Sequence, residues 1–172
     1  MATSSPARKP KPSPSATRRY RSGNKQIGYT TVTLDERTIA ALGAAEEILG
    51  FPICIGQGSY TGGAVAASGT THDKGSTVDA RVRHLTTSER VSTVKALKKA
   101  GFAAWYRDAR TGFPPHIHAV LIDAPEASTS AKWQVREYLA GRNGLSNASA
   151  DNTFRPDPQV RFHYPSGMIR PR

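Results

Sequence analysis

"SGTTHDKGSTVDARV", residues 68–82, and "FPPHIHAVLID", residues 113–123, decide the fold, because each carries a strand into one shared site. The apolar run His116–Ile122 is too short for a helix and is bounded by a Pro-Pro turn and an Asp-Ala-Pro turn, so it reads as a buried strand. Residues i and i+2 of a strand point to the same face, so His116 and His118 can face one cleft. In the first stretch, His72 sits in a glycine-rich loop and Asp79 in the strand that follows, Ser76–Val82. Gly75 between them is expected to let the backbone turn without a side chain standing in front of a metal. A catalytic zinc site takes three protein ligands and keeps a fourth position open. Two neutral imidazoles and one carboxylate meet that need, with one histidine of the H-x-H pair left beside the reacting water.

Outward from these strands, the chain alternates short strands and capped helices without strict βαβ repetition. "YTTVTL" reads as a strand. Asp35 or Thr33 caps a helix with an apolar stripe at Ile39, Leu42, Ala45 and Leu49, stopped by Gly50. "FPICIGQ", residues 51–57, reads as one buried strand, with Cys54 in the core. The loop up to Gly75 is long and glycine-rich, which inside a compact domain points to function or mobility. Thr86 and Glu89 have capping-box spacing ahead of a helix carrying Val91, Val94 and Leu97, ended by Gly101. "FAAWYR" is a strand, "DARTGFPP" a turn, and residues 129–140 a helix expected to bury Trp133 and Leu139. "VRFHY", residues 160–164, alternates as an edge strand does. The predicted fold class is α+β: a small mixed, mainly antiparallel sheet with helices packed on it and a zinc site in a cleft on the sheet.

The chain has 172 residues and a net charge of +11, with Lys+Arg 24 against Asp+Glu 13. Seven of those cations (Arg8, Lys9, Lys11, Arg18, Arg19, Arg21 and Lys25) lie in the first 25 residues, where there is no acid. This segment is rich in Pro and Ser and poor in large apolar residues, so residues 1–26 are expected to be a disordered or extended basic arm. A cationic arm suits a polyanion: nucleic acid, an anionic cell-wall polymer, or an acidic protein surface such as a virion protein. It serves equally as a solvated linker. The domain is expected over 27–141, with a polar C-terminal extension over 142–172. No apolar run approaches a membrane span, and no apolar core of a secretory signal follows the charged N-terminus. A single cysteine excludes an internal disulfide framework and a cysteine-based zinc site. His84 and His163 have no partner spacing and read as surface or structural residues.

The pattern H-x-x-G-x-T-x-D, then a helix, then a strand opening on H-x-H, resembles the hedgehog/D-Ala-D-Ala-peptidase superfamily. Thr77 stands where Ala is usual. The resemblance covers roughly Leu34 to Ile122, including "QGSYTGG", and is nearest to peptidoglycan peptidases of actinobacteria and their phages. It implies zinc held by His72, Asp79 and His118. D-Ala-D-Ala-type members carry a catalytic Glu three residues before the last His. Pro115 occupies that position here and cannot act as a base. Murein endopeptidases of the superfamily instead use the first His of H-x-H, which implies that His116 is the base. Gln57, Ser59 and Tyr60 precede the ligand loop and are expected to line the cleft. Tyr60 is either an oxyanion donor or a plain aromatic wall residue.

The expectation is therefore a zinc-dependent, endolysin-like peptidase cutting a stem or cross-bridge peptide of peptidoglycan. It would stay in the host cytoplasm until release to the wall, or be carried in a virion. The rivals are a zinc-containing wall-binding module without catalysis and a virion structural protein with a basic arm.

Overall fold

The computed structural model describes residues 15–151. It is an α+β structure of three helices and two antiparallel sheets. Strands β1 (Thr17–Asn24) and β2 (Gly28–Asp35) form a two-stranded hairpin, and helix α1 (Glu36–Leu49) follows directly. Strands β3 (Ile55–Gln57) and β4 (Thr77–Arg81), helix α2 (Thr87–Lys99), strands β5 (Phe102–Arg107) and β6 (His116–Leu121) and helix α3 (Thr129–Leu139) complete the order. The main sheet runs β3-β4-β6-β5. No helix among the described residues is long and apolar enough to cross a membrane.

Strand alternation divides the sheet into two faces. Val78, Ala80, Ile117, Ala119, Phe102 and Ala104 are buried on the face toward α1 and α2. Tyr106 marks the same side, where its hydroxyl lies 3.3 Å from Arg90 Nη1 of α2. Leu42 and Ala45 of α1 and Val94 and Leu97 of α2 fill this core. Each fully buried aliphatic side chain here is worth about 1.5–3 kcal/mol. The opposite face carries the polar residues and is covered by α3.

The helices start where their caps place them. Asp35 caps α1, its carboxylate accepting from Thr38 N at 2.8 Å, so of the two candidates it is the N-cap. The same carboxylate accepts from Ser76 N at 2.8 Å, tying the start of α1 to the entry of β4. Thr86 and Glu89 form the expected capping box on α2. Ser128 caps α3.

Four expectations are corrected. The segment 51–57 is not one strand: β3 is only Ile55–Gln57, preceded by Pro52, which has no N–H for a ladder. Leu139 is 69% exposed, and Trp133 is only half-buried, lining the cleft described below. The basic arm does not extend to residue 26. Thr17–Asn24 pairs with β2 along its full length, and Ser22 Oγ accepts from Ile55 N at 2.6 Å and donates to Ile53 O. Composition alone suggested an arm, because a hairpin ladder satisfies backbone groups whatever the side chains are. The domain also does not stop at 141. Arg142 bridges to Ala150, and Asp151 N donates to Gly141 O at 3.0 Å. Residues 1–14 and the edge-strand candidate at 160–164 lie outside the described residues.

A chain lacking residues 1–26 is therefore expected to melt well below the full-length protein, while one lacking only 1–14 serves as the control. Losing the β1 ladder and the Ser22 bridge forfeits several hydrogen bonds at about 1 kcal/mol each. At about 2–4 °C per kcal/mol for a protein of this size, the fall is about 10 °C. Coincident melting curves for the full chain and the 1–26 deletion would show that the hairpin adds nothing to the domain.

Candidate metal centre and cleft

The sheet register builds the site in two rows. Gln57, Asp79, His118 and Trp105 are successive cross-strand partners along β3-β4-β6-β5. The next row is Arg81, His116 and Arg107. Gln57 joins the first row because the β3–β4 register shifts between Ile55 and Gln57. That bulge at Gly56 turns Ile55 to the core and Gln57 to the site. Both histidines of H-x-H thus face the cleft, as the alternation of the strand requires.

His72 arrives from the loop before β4. Its backbone is pinned: Thr61 N donates to His72 O at 3.0 Å, and Thr71 O accepts from the Thr77 and Ser128 hydroxyls at 3.0 and 3.3 Å. The hydroxyl of Thr77 therefore has a local use that an alanine there would not serve. Gly75 is needed for a different reason from the one expected. A Cβ at that position would lie 2.5 Å from Glu126 Cβ, 2.6 Å from the Tyr60 hydroxyl and 2.9 Å from an Asp35 carboxylate oxygen. Close packing behind the loop demands glycine there, not clearance for a metal.

His72, Asp79 and His118 each offer a ligand atom, and these atoms lie within 4.8 Å of one another. Nε2 of His72 is 3.4 Å from Asp79 Oδ1, and Nδ1 of His118 is 2.7 Å from the same oxygen. The outer partners fix the tautomers. His72 Nδ1 lies 2.8 Å from Gly58 O, which can only accept, so the proton is on Nδ1 and Nε2 presents its lone pair. Gln134 Nε2 donates to Gly144 O at 3.1 Å, which turns Gln134 Oε1 toward His118 Nε2 at 2.8 Å. His118 therefore carries its proton on Nε2 and presents the lone pair of Nδ1 to Asp79. Burial first, then the charge of Arg107, holds the pKa of His118 down at about 4 despite Asp79, so the ring is neutral.

These donors fit a cation. Two lone pairs face each other at 2.7 Å, and the buried Nε2 of His72, in a residue 1% exposed, has no hydrogen-bond partner among the described residues. An unpaired buried donor set of two nitrogens and a carboxylate is costly unless something positive sits among them. The group can hold a metal ion, with Gly58 O and Gln134 as the outer partners that orient its histidines.

His116 stands beside this group rather than in it. Its Nε2 is 3.9 Å from Asp79 Oδ1, and its Nδ1 lies 2.7 Å from Pro114 O. The carbonyl accepts from Nδ1–H, leaving the Nε2 lone pair directed toward the site. The ring is partly exposed to a cleft of about 790 Å³, walled by Gln57, Trp133, Phe113, Arg107 and Leu145 among others. A second pocket of about 490 Å³, lined by Arg81, Arg83 and His84, adjoins it through Gln57, Asp79 and His116.

Of the three predicted cleft residues, only Gln57 lines it. Ser59 is buried and structural, donating to Thr77 O at 2.8 Å and accepting from Thr77 N at 3.1 Å. Tyr60 turns its hydroxyl away, toward Gly75, Asp35 and Glu126. Burial and then those two carboxylates push its pKa up to about 12. Sequence reasoning missed Gln134, Arg107 and Gly144. Gln134 alone left a signal, a polar residue at a buried position of an amphipathic helix, three residues from Ala131.

The chain was compared with protein-family models, with curated proteins and with solved structures, and none matches it.

The outer partner of His118 supplies a direct check on this arrangement. Gln134→Ala is expected to weaken metal affinity by about 10–100-fold, the usual cost of removing such a partner. A competition titration against a chelator of known affinity measures it. Unchanged affinity would mean that Gln134 does not set the tautomer of His118.

Proposed function

We propose that the chain is a zinc-dependent peptidoglycan peptidase of the endolysin type, cutting a peptide bond in the stem or cross-bridge. The observation that carries this reading is the convergence of His72, Asp79 and His118 on one point with the free Nε2 of His116 beside it at the floor of an open cleft. The H-x-x-G-x-T-x-D and H-x-H resemblance supplies the substrate class.

Two imidazoles and one carboxylate suit zinc and leave a position open. Zinc, when bound, would supply Lewis-acid polarisation of the scissile carbonyl and acidify a water toward a pKa of about 7. Nε2 of His116 takes the proton of the attacking water and returns it to the leaving amine. Its Nδ1–H, held by Pro114 O, keeps the ring aimed and helps to carry the positive charge that forms. Asp79 supplies one negative charge to the metal. Partial exposure of His116 gives substrate access, while His72 and His118 stay closed off behind it.

A second reading has an observation in its favour. Pro115 stands where a catalytic Glu is usual, which suits a zinc-containing wall-binding module that no longer cuts. A virion structural protein with a basic N-terminus is the remaining alternative. Purified walls incubated with the protein, with and without chelator, decide among these when the fragments are read by mass spectrometry. The peptidase reading expects chelator-sensitive release of fragments ending at one peptide bond. Wall binding with no fragments would leave the binding module, and no zinc with no binding would leave the structural protein.

A further inference from the structure

Arg107 ends β5 on the site face, directly across from His116 and two residues on from Trp105. It is 5% exposed, and neither Nε nor Nη2 has a hydrogen-bond partner among the described residues. A buried guanidinium with unpaired donors is among the costlier things a fold can hold. No acidic side chain among the described residues forms an ion pair with it. Its charged end instead lies 5.7 Å from the centre of a Trp105 ring and 5.4 Å from that of Phe113. Those ring contacts hold the side chain in place at the cleft wall without using its N–H groups. Burial, opposed by the charge of Asp79, brings its pKa down to about 10, so it remains charged at neutral pH.

The surroundings say what it awaits. Among the described residues, Asp79 is the sole acid lining either the cleft or the adjoining pocket. A metal ion in the ligand group would take up that one negative charge and leave the cleft cationic, with Arg81 and Arg83 lining the adjoining pocket. The fork of Nε and Nη2 matches the two oxygens of a carboxylate.

We propose that Arg107 is the anchor for a substrate carboxylate, so that the cleft selects peptides carrying a free carboxylate close to the group presented to His116. The position of that carboxylate relative to His116 rests on the peptidase reading. The anchor itself is a matter of binding and is tested without hydrolysis.

The probe is the pool of soluble peptides released from purified walls, used once with its carboxylates free and once after carbodiimide amidation. Binding is measured by calorimetry for metal-loaded and metal-free protein. The native protein is expected to bind the free form at least about 10-fold more tightly than the amidated form in both metal states. Arg107→Gln should erase that preference while leaving affinity for the amidated form unchanged. Arg107→Lys should fall between, since a point charge cannot reproduce the fork. Equal binding of both forms by the native protein would overturn the proposal, as would a preference that survives in Arg107→Gln. A preference confined to the metal-loaded state would overturn it too, by placing the carboxylate on the metal. Arg107→Met separates anchoring from a structural role: removing an unpaired buried charge should raise the melting temperature by a few degrees, and a fall of ten would mark Arg107 as structural. Carboxylate preference without any fragment release would sink the peptidase reading and leave the anchor standing.

Discussion

His116→Ala is expected to keep its metal and lose at least about 10²–10⁴-fold in the rate of wall-peptide hydrolysis, the usual contribution of a positioned general acid–base. Both halves follow from position. The residue lies outside the group whose ligand atoms meet within 4.8 Å, so its removal leaves every proposed ligand and both outer partners in place. Its side chain is partly exposed and makes no core contact that an alanine would collapse, so stability should hardly change. Yet Nε2 of His116 opens on the cleft with a free lone pair, whereas Nε2 of His72 is buried among the ligand atoms and Nε2 of His118 carries a proton, and among the described residues no Glu or Asp other than Asp79 lines that cleft to replace it. Elemental analysis and fragment release on the same preparation read the two quantities. Native-rate release by the variant would remove His116 from the chemistry. Loss of metal along with activity would instead make it a ligand.

His118→Ala, by contrast, is expected to lose the metal itself. Zinc binding in small protein sites is worth about 10–16 kcal/mol. Shared over three ligands, one is worth at least about 3 kcal/mol, or more than about 10²-fold in affinity. The same binding shows up as stability. A metal that binds only the folded chain, at about 1,000 times its dissociation constant, adds about 4 kcal/mol, or roughly 8–16 °C at this size. Zinc added to the metal-stripped native protein should therefore raise the melting temperature by about that much, and a chelator should reverse it. The same addition to His118→Ala should do little. Full zinc stoichiometry in the variant, or a native melting curve that zinc leaves unmoved, would sink this ligand set.

Much of the site was legible because strand alternation is rigid. Once "HIHAVLI" reads as a strand, His116 and His118 must share a face, and the H-x-x-G-x-T-x-D spacing supplies two partners. The helix starts were legible because caps are local chemistry: Thr86 and Glu89 need no tertiary information to form their box. What failed depended on contacts distant in sequence. Gln134 reaches His118 across 16 positions and is itself held by Gly144, which a local pattern cannot show. Arg107 faces His116 only because β5 and β6 pair in one register, and the eight residues between them do not set it. Tyr60 and Gly75 were read toward the cleft because they border the ligand loop, whereas Asp35 and Glu126 draw them to its rear. The basic N-terminus was read by composition, which is blind to a hairpin that closes on its own backbone.

The central strands have a further property that follows from their register. The faces of β4 and β6 turned toward α1 and α2 are small and interchangeable: Val78 and Ala80 lie opposite Ala119 and Ile117, all buried. A slide of two positions keeps these faces and costs little packing, because buried apolar side chains again meet one another, whereas a slide of one turns every side chain of the moved strand to the other face. In β6 that would bring Ile117 and Ala119 to the cleft and send both histidines into the aliphatic layer. Four strands in one alignment set His118 beside Asp79, and any other alignment separates them. An ion held between these residues would thus proofread the assembled sheet, rewarding the single alignment that the aliphatic layer alone scarcely distinguishes from one displaced by two residues.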